Sequence, residues 1–191
     1  MIEKKFTSKD QEHTMLLDDE DSWLTDILTI RIHKGYVYTD IHGNQLKNLN
    51  EKIDYTIEPK YEKGTNRVKV HKQLHRLLME IHHPELRDNP KLYIDHINGD
   101  KLDNRKENLR LATNQQNSMN RKPHKNSSSK YKGVYWSKRE NKWIAQIVIN
   151  KKNKYIGRYQ DEKEAALAYD KAAREHFGEY AKLNFEEKTT C

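Results

Sequence analysis

Cysteine is almost absent: the 191-residue chain has one, Cys191. That excludes a disulfide framework and a cysteine-built zinc site within one chain, and it suits a reducing compartment. No run of about 18 apolar residues occurs, and Met1-Ile2-Glu3-Lys4-Lys5 lacks the apolar centre of a signal peptide. The reading is therefore a soluble, cytoplasmic protein that is not secreted and has no membrane partner. No internal repeat links the two halves of the chain.

Charge is plentiful. Asp, Glu, Lys and Arg make up 34% of the residues, yet 11 Tyr, 3 Trp and 3 Phe set the chain apart from disordered sequences. A useful core needs on the order of 50 residues or more, so this length suits two small domains. The net charge of +7 is unevenly spread: residues 1–66 carry 9 basic and 13 acidic side chains, 67–125 carry 13 and 7, and 126–191 carry 14 and 9. Two adjacent basic segments suit a polyanion, because neutralising phosphates releases condensed counterions. The alternative is a solvated basic face.

From Leu28 to Ile32 apolar residues alternate, Gly35 interrupts, and Tyr36-Val37-Tyr38-Thr39 resumes before His42-Gly43-Asn44, which predicts a hairpin. After an extended run Arg67–Val70, Leu74, Leu77, Leu78 and Ile81 keep helical spacing until Pro84, so this helix should cover a sheet face. Residues 122–130 combine Pro, Ser and positive charge without a large apolar side chain and read as a linker. Three strand-like runs follow, Tyr131–Trp136, Lys142–Ile149 and Lys154–Tyr159. Asp161 and Glu164 then cap a helix carrying Ala165, Ala168, Tyr169 and Ala172, which Gly178 should stop. The predicted class is α+β, with a first domain at 1–121 (strands and hairpin over 1–66, core over 67–121), the linker, and a second domain at 131–187.

Leu92–Asp100 reads as a strand running into a polar loop, with Asp95 and His96 where the loop begins. A carboxylate offers a hard oxygen to Mg2+ or a similar ion, and a neutral imidazole can take a proton from water at neutral pH. Phosphodiester hydrolysis needs both. A second strand, Leu109–Ala112, leads to a capping box of Thr113 and Gln116. That helix carries Asn117, whose amide oxygen could face the same ion. The remaining histidines, including His82, His83 and His124, read as surface residues.

His75-Arg76, followed by Ile94-Asp-His-Ile-Asn-Gly-Asp-Lys-Leu-Asp-Asn-Arg-Lys-Glu-Asn-Leu-Arg-Leu-Ala-Thr-Asn-Gln-Gln-Asn117, resembles the HNH, or ββα-metal, homing-type endonucleases of phages and mobile introns. The resemblance implies that His96 is the general base, that Asp95 and Asn117 bind the metal, and that Asn108 braces the loop. Asn117 stands where the family name has His, and keeps an oxygen ligand. The cofactor expected is Mg2+ or Mn2+, with no zinc. His75, Arg76, Asn104 and Arg105 are supporting candidates, although a helical His-Arg pair beside Leu74 and Leu77 also reads as surface.

In Lys142–Val148, Trp143, Ala145 and Ile147 alternate with Lys142, Ile144, Gln146 and Val148, the first set suiting a core under the alanine-rich helix. Ser129–Tyr135, Lys142–Ile147, Tyr155-Ile-Gly, Glu164–Ala173 and Lys182–Phe185 resemble, in order, the Apetala-two/ethylene-response-factor DNA-binding domain. The resemblance implies a three-stranded antiparallel sheet, packed on one helix, that lies in the major groove. Lys132, Tyr135, Gln146 and Tyr155 would then touch DNA, with Lys138, Arg139 and Lys142 near the backbone. Lys, Tyr or uncharged residues replace several arginines of the plant proteins, which removes bidentate guanine readers.

The expected function is a metal-dependent endonuclease acting on duplex DNA, as a monomer or homodimer, in the host cell of a phage or mobile element. The rivals are a DNA-binding regulator with a degenerate nuclease half, and a nuclease acting on RNA or without sequence preference.

Overall fold

The computed structural model describes residues 1–53, 69–89, 91–121 and 127–185. They divide into two compact units, Met1–Ala112 and Thr113–Cys191.

In the first unit, β1 (Ile2–Ser8) and β2 (Gln11–Leu17) form an antiparallel hairpin, and α1 (Leu24–Ile27) follows. β3 (Thr29–His33) and β4 (Tyr36–His42) are the expected second hairpin. It turns at Lys34 and Gly35, both at positive φ, which glycine adopts without strain. Directly after β4, Gly43 begins α2 (Gly43–Lys52), a helix that the sequence reading did not anticipate. β5 (Lys69–Gln73) pairs with β4 to give the order β3-β4-β5; Arg67 and Val68 of the expected run lie outside the described residues.

α3 (Leu74–His82) occupies the helical stretch read from the sequence. It is buried on more than the face that its leucines mark. Leu74, Leu77 and Leu78 pack with Val37 and Ile41 of β4 and with Met15 and Leu17 of β2. Met79 joins a second cluster with Leu86, Ile94 and Leu109, which carries β6 (Tyr93–His96) and β7 (Leu109–Ala112), an antiparallel pair. Burying each such side chain stabilises the fold by about 1.5–3 kcal/mol.

The second unit opens with the expected capping box. The Thr113 hydroxyl accepts from the Gln116 backbone N–H at 3.2 Å, and the Gln116 side chain accepts from the Thr113 N–H at 2.8 Å, starting α4 (Asn114–Met119). Met119 packs with Ile147, Tyr169, Ala173 and Phe177, and Gln115 donates to Asn150 at 2.9 Å. The division therefore falls ahead of the basic connector expected at 122–130, of which 122–126 lie outside the described residues.

β8 (Val134–Ser137), β9 (Lys142–Ile149) and β10 (Lys152–Tyr159) form an antiparallel sheet in the order β10-β9-β8. It is covered by α5 (Glu162–Phe177), which Asp161 caps through the N–H groups of Lys163 and Glu164 and which Gly178 ends at φ 54°. Ala165, Ala166 and Ala173 are fully buried, so the helix lies close to Val134, Ala145 and Ile147. Gly133, at φ +75°, meets Tyr169 so closely that an added Cβ would stand 2.0 Å from the ring. The chain is thus α+β, and no described helix is long and apolar enough to cross a membrane.

Candidate active site and nucleic-acid interface

Asp95 and His96 end β6 and are both buried. The register sets Asp95 directly opposite Arg110 of β7, whose Nε and Nη2 donate to Asp95 Oδ2 at 3.1 and 2.9 Å. After His96 the chain turns at Gly99, at φ 75°, with Gly99 N–H donating to the His96 carbonyl at 2.8 Å.

Asn104 decides the histidine tautomer. Its Nδ2 donates to the Leu102 carbonyl at 3.2 Å, so the amide oxygen is the atom facing His96 Nε2, 3.3 Å away. An acceptor there requires the proton on Nε2 and leaves Nδ1 as the basic nitrogen. Burial pushes His96 below the ordinary histidine range; the Asn104 bond and the charges of Asp95, Asp100 and Asp103 pull the other way. A neutral ring with a defined lone pair suits proton abstraction.

Asn108 spans the loop: its Oδ1 accepts from the Asn98 N–H at 2.9 Å and its Nδ2 donates to the Asp103 carbonyl at 2.8 Å. Arg105 holds the buried Asp103 carboxylate in two bonds, 2.8 and 2.7 Å, which keeps that carboxyl below its usual range. The loop is also pinned to β2: Leu16 N–H donates to the Leu102 carbonyl and Asn104 N–H to the Leu16 carbonyl, both at 2.9 Å.

His75 and Arg76 are not the surface pair that helical position alone allowed. His75 is 5% exposed, and burial, with His96 and Arg76 nearby, pushes it down to about 3. Arg76 clasps the interior, donating to Glu80 at 2.6 Å and to the Leu92 and Leu86 carbonyls at 2.8 and 2.7 Å. Likewise His82 is half-buried and bonds Asp21 at 2.8 Å, whereas His83 is exposed; His124 lies outside the described residues. Asn117 lies on α4 of the second unit.

Metal chemistry is tested by the donor set. Among the described residues no group of three or more His, Cys, Asp and Glu side chains could hold a cation. The Asp95 carboxylate by itself is a donor of the kind that suits a mostly hydrated hard ion such as Mg2+, which keeps several waters and takes one or two protein oxygens.

On the second unit's uncovered sheet face, Tyr135 stands opposite Ile144 and Gln146 opposite Tyr155. Tyr155 is 63% exposed, Lys138 and Arg139 are exposed, and Lys142 and Gln146 are half-buried. Lys132 departs from expectation: its Nζ donates to the Met119 carbonyl, and burial beside Lys182 and Arg121 pushes it down to about 8. It is turned inward and is not a presented cation. Arg158 belongs to this face and was missed. A bulge between Tyr155 and Gly157 shifts the register, so Arg158 pairs with Ile144 and shares a face with Tyr155, which strict alternation forbids.

Two family models match the chain: HNH endonuclease over residues 72–119 and AP2 domain over 129–179. The chain belongs to the HNH endonuclease family. It is 38% identical over 118 residues to an uncharacterized HNH endonuclease of Acanthamoeba polyphaga mimivirus, a match covering 62% of this chain but only 58% of that protein. It is 36% identical over 91 residues to protein 3.8 of Escherichia phage T7, covering 48% of this chain and 74% of that one. An ethylene-responsive transcription factor of Arabidopsis thaliana is 43% identical over 60 residues, 30% of this chain and 14% of its own length. These matches support a nuclease with a DNA-binding AP2 domain.

Within the HNH stretch, sequence reasoning missed Arg110. Strand pairing was the available signal, since it stands one strand across from Asp95.

Proposed function

We propose that this HNH protein is a metal-dependent, site-preferring endonuclease of the homing type that hydrolyses phosphodiester bonds in duplex DNA inside the host cell of a phage or mobile element. The observation that carries it is the tautomer lock: Asn104 holds the proton on His96 Nε2 and makes Nδ1 the base, one residue from a carboxylate. Asp95 and Asn117 would hold Mg2+ or Mn2+, with Arg110 orienting the Asp95 carboxylate. When bound, the ion supplies Lewis-acid stabilisation of charge on the phosphate and the departing 3′ oxygen. His96 takes the proton of the attacking water, and Asn108 keeps the loop, and thus the imidazole, in place.

The AP2 sheet would seat on duplex DNA through Tyr135, Gln146 and Tyr155, with Lys138, Arg139, Lys142 and Arg158 near the phosphates. One active site cuts one strand, so a monomer nicks and a double-strand break needs a pair.

Supercoiled plasmid incubated with the protein and Mg2+ or Mn2+, beside a chelator control and His96→Ala, tests this. Metal-dependent relaxed circles that His96→Ala does not produce are expected. The burial of His96 and the Arg110 pairing of Asp95 favour a second reading, a DNA-binding regulator with a degenerate nuclease half. Retarded but uncut plasmid would establish that reading instead.

A further inference from the structure

Three rings from three separate elements meet at His96. His75 of α3 lies edge-on to it, with ring centroids 4.9 Å apart and planes at 75°. Tyr36 of β4 touches both, at 5.5 Å from His75 and 6.1 Å from His96. Lys101, from the loop that follows His96, sits over the Tyr36 ring at 3.9 Å and donates to the Lys34 carbonyl at 3.2 Å, which ties that loop to the β3–β4 turn.

We propose that Tyr36 and His75 are positioning residues for His96, forming an aromatic wall, so that the N-terminal sheet completes the active site although Tyr36 lies outside the matched HNH stretch. The Asn104 bond, at 3.3 Å, is long for a hydrogen bond, and two rings packed on the flank of the imidazole limit its pivoting. Ordinary packing would fill the His75 position more cheaply with leucine. Its imidazole instead has Nδ1 buried without a hydrogen-bond partner, which costs stability. What the imidazole keeps, and leucine lacks, is a flat edge against His96. Because Nδ1 is sealed, that edge acts by shape, and the neutral ring adds no charge beside the base.

This inference rests on the nuclease reading, and its test separates the two. The full chain and its Tyr36→Ala, Tyr36→Phe, His75→Ala and His75→Phe variants are compared in single-turnover plasmid nicking with Mn2+. Binding of the same DNA in chelator, thermal melting, and NMR of isotope-labelled histidine rings in the metal-free, DNA-free protein complete the set. A small misplacement of a reacting group can cost on the order of 100-fold. The alanine variants should therefore nick roughly 10- to 100-fold more slowly with unchanged DNA affinity, and the phenylalanine variants should recover most of the rate. The His96 ring resonance should move in Tyr36→Ala.

Tyr36→Ala nicking at the parent rate would overturn the proposal. So would Tyr36→Phe as slow as Tyr36→Ala, which would make the hydroxyl a direct contact, or a rate loss matched by lost affinity. If Tyr36→Ala does not fold, Tyr36→Leu keeps the bulk without the flat ring and should still be slow; parent-rate nicking by it would overturn the wall. If the parent protein itself does not nick, the nuclease reading falls. The wall is then judged by the ring spectrum alone, and an unmoved His96 resonance in Tyr36→Ala overturns it.

Discussion

Around His96 the guanidinium groups of Arg76, Arg105 and Arg110 are each committed to a carboxylate or a backbone carbonyl, and Arg110 is only 12% exposed. On the AP2 sheet, Arg139 and Arg158 are 90% and 65% exposed and lean loosely towards one carboxylate, Glu140, at 3.4 and 3.6 Å. The two regions use the same side chain for opposite ends. Shielded from water, a bidentate pair fixes a loop to within the tolerance that proton transfer demands. In water an ion pair contributes about 0–1 kcal/mol and is easily exchanged for a phosphate. A rigidly held loop in one unit and exchangeable charge in the other is the division of labour that the proposed function requires.

The comparison breaks first at the base. His96→Ala should lower nicking about 10²- to 10⁴-fold, the range of a general base, while retention of DNA in gels is unchanged; lost retention would mean that the two regions do not divide the work. Next comes Gly133→Ala. Positive φ and the Tyr169 ring together should destabilise the second unit by about 2–4 kcal/mol, read by denaturant unfolding.

Acid tests the buried side more gently. His75 is held down to about 3 when folded and titrates near 6.5 when unfolded, so between those values the unfolded chain binds more protons. Stability from this group is complete above 6.5 and is lost as pH falls towards 3, by about 1.4 kcal/mol per unit. Melting curves from pH 7 to 4 should therefore fall less steeply for His75→Phe than for the parent chain.

The smallest effect is on the exposed side. Arg139→Ala and Arg158→Ala should each reduce the salt dependence of DNA binding by about one phosphate contact, with nicking of saturated DNA unaltered. Arg110→Ala, by contrast, should leave that slope alone.

Much of this was legible along the chain. The capping box of Thr113 and Gln116, the Asp161 cap, the Gly178 stop and the strand at Tyr93–His96 are local patterns, set by spacing within a few residues. Errors arose where a second surface intervened. Helical spacing showed one apolar face of α3, but the helix is packed by two clusters, so His75 and Arg76 are inside. Strict alternation from Tyr155 would put Arg158 on the opposite face, but one bulge reverses the alternation, and Arg158 was not singled out. Lys132 reads as a free cation until the Met119 carbonyl, 13 residues away, is found to accept from it.

The sequence by itself determined the two-part layout, the order of elements from β5 onward and the candidate pair Asp95 and His96. The elements follow from short-range periodicity and capping chemistry, and the pair from the HNH-like run that carries it, none of which needs a distant partner. Only the tertiary structure decided which nitrogen of His96 faces Asn104, which arginine holds Asp95, and that Tyr36 and His75 flank the His96 ring. Each depends on atoms brought together by packing across 8 to 60 positions of chain, a separation over which no residue pattern carries distance.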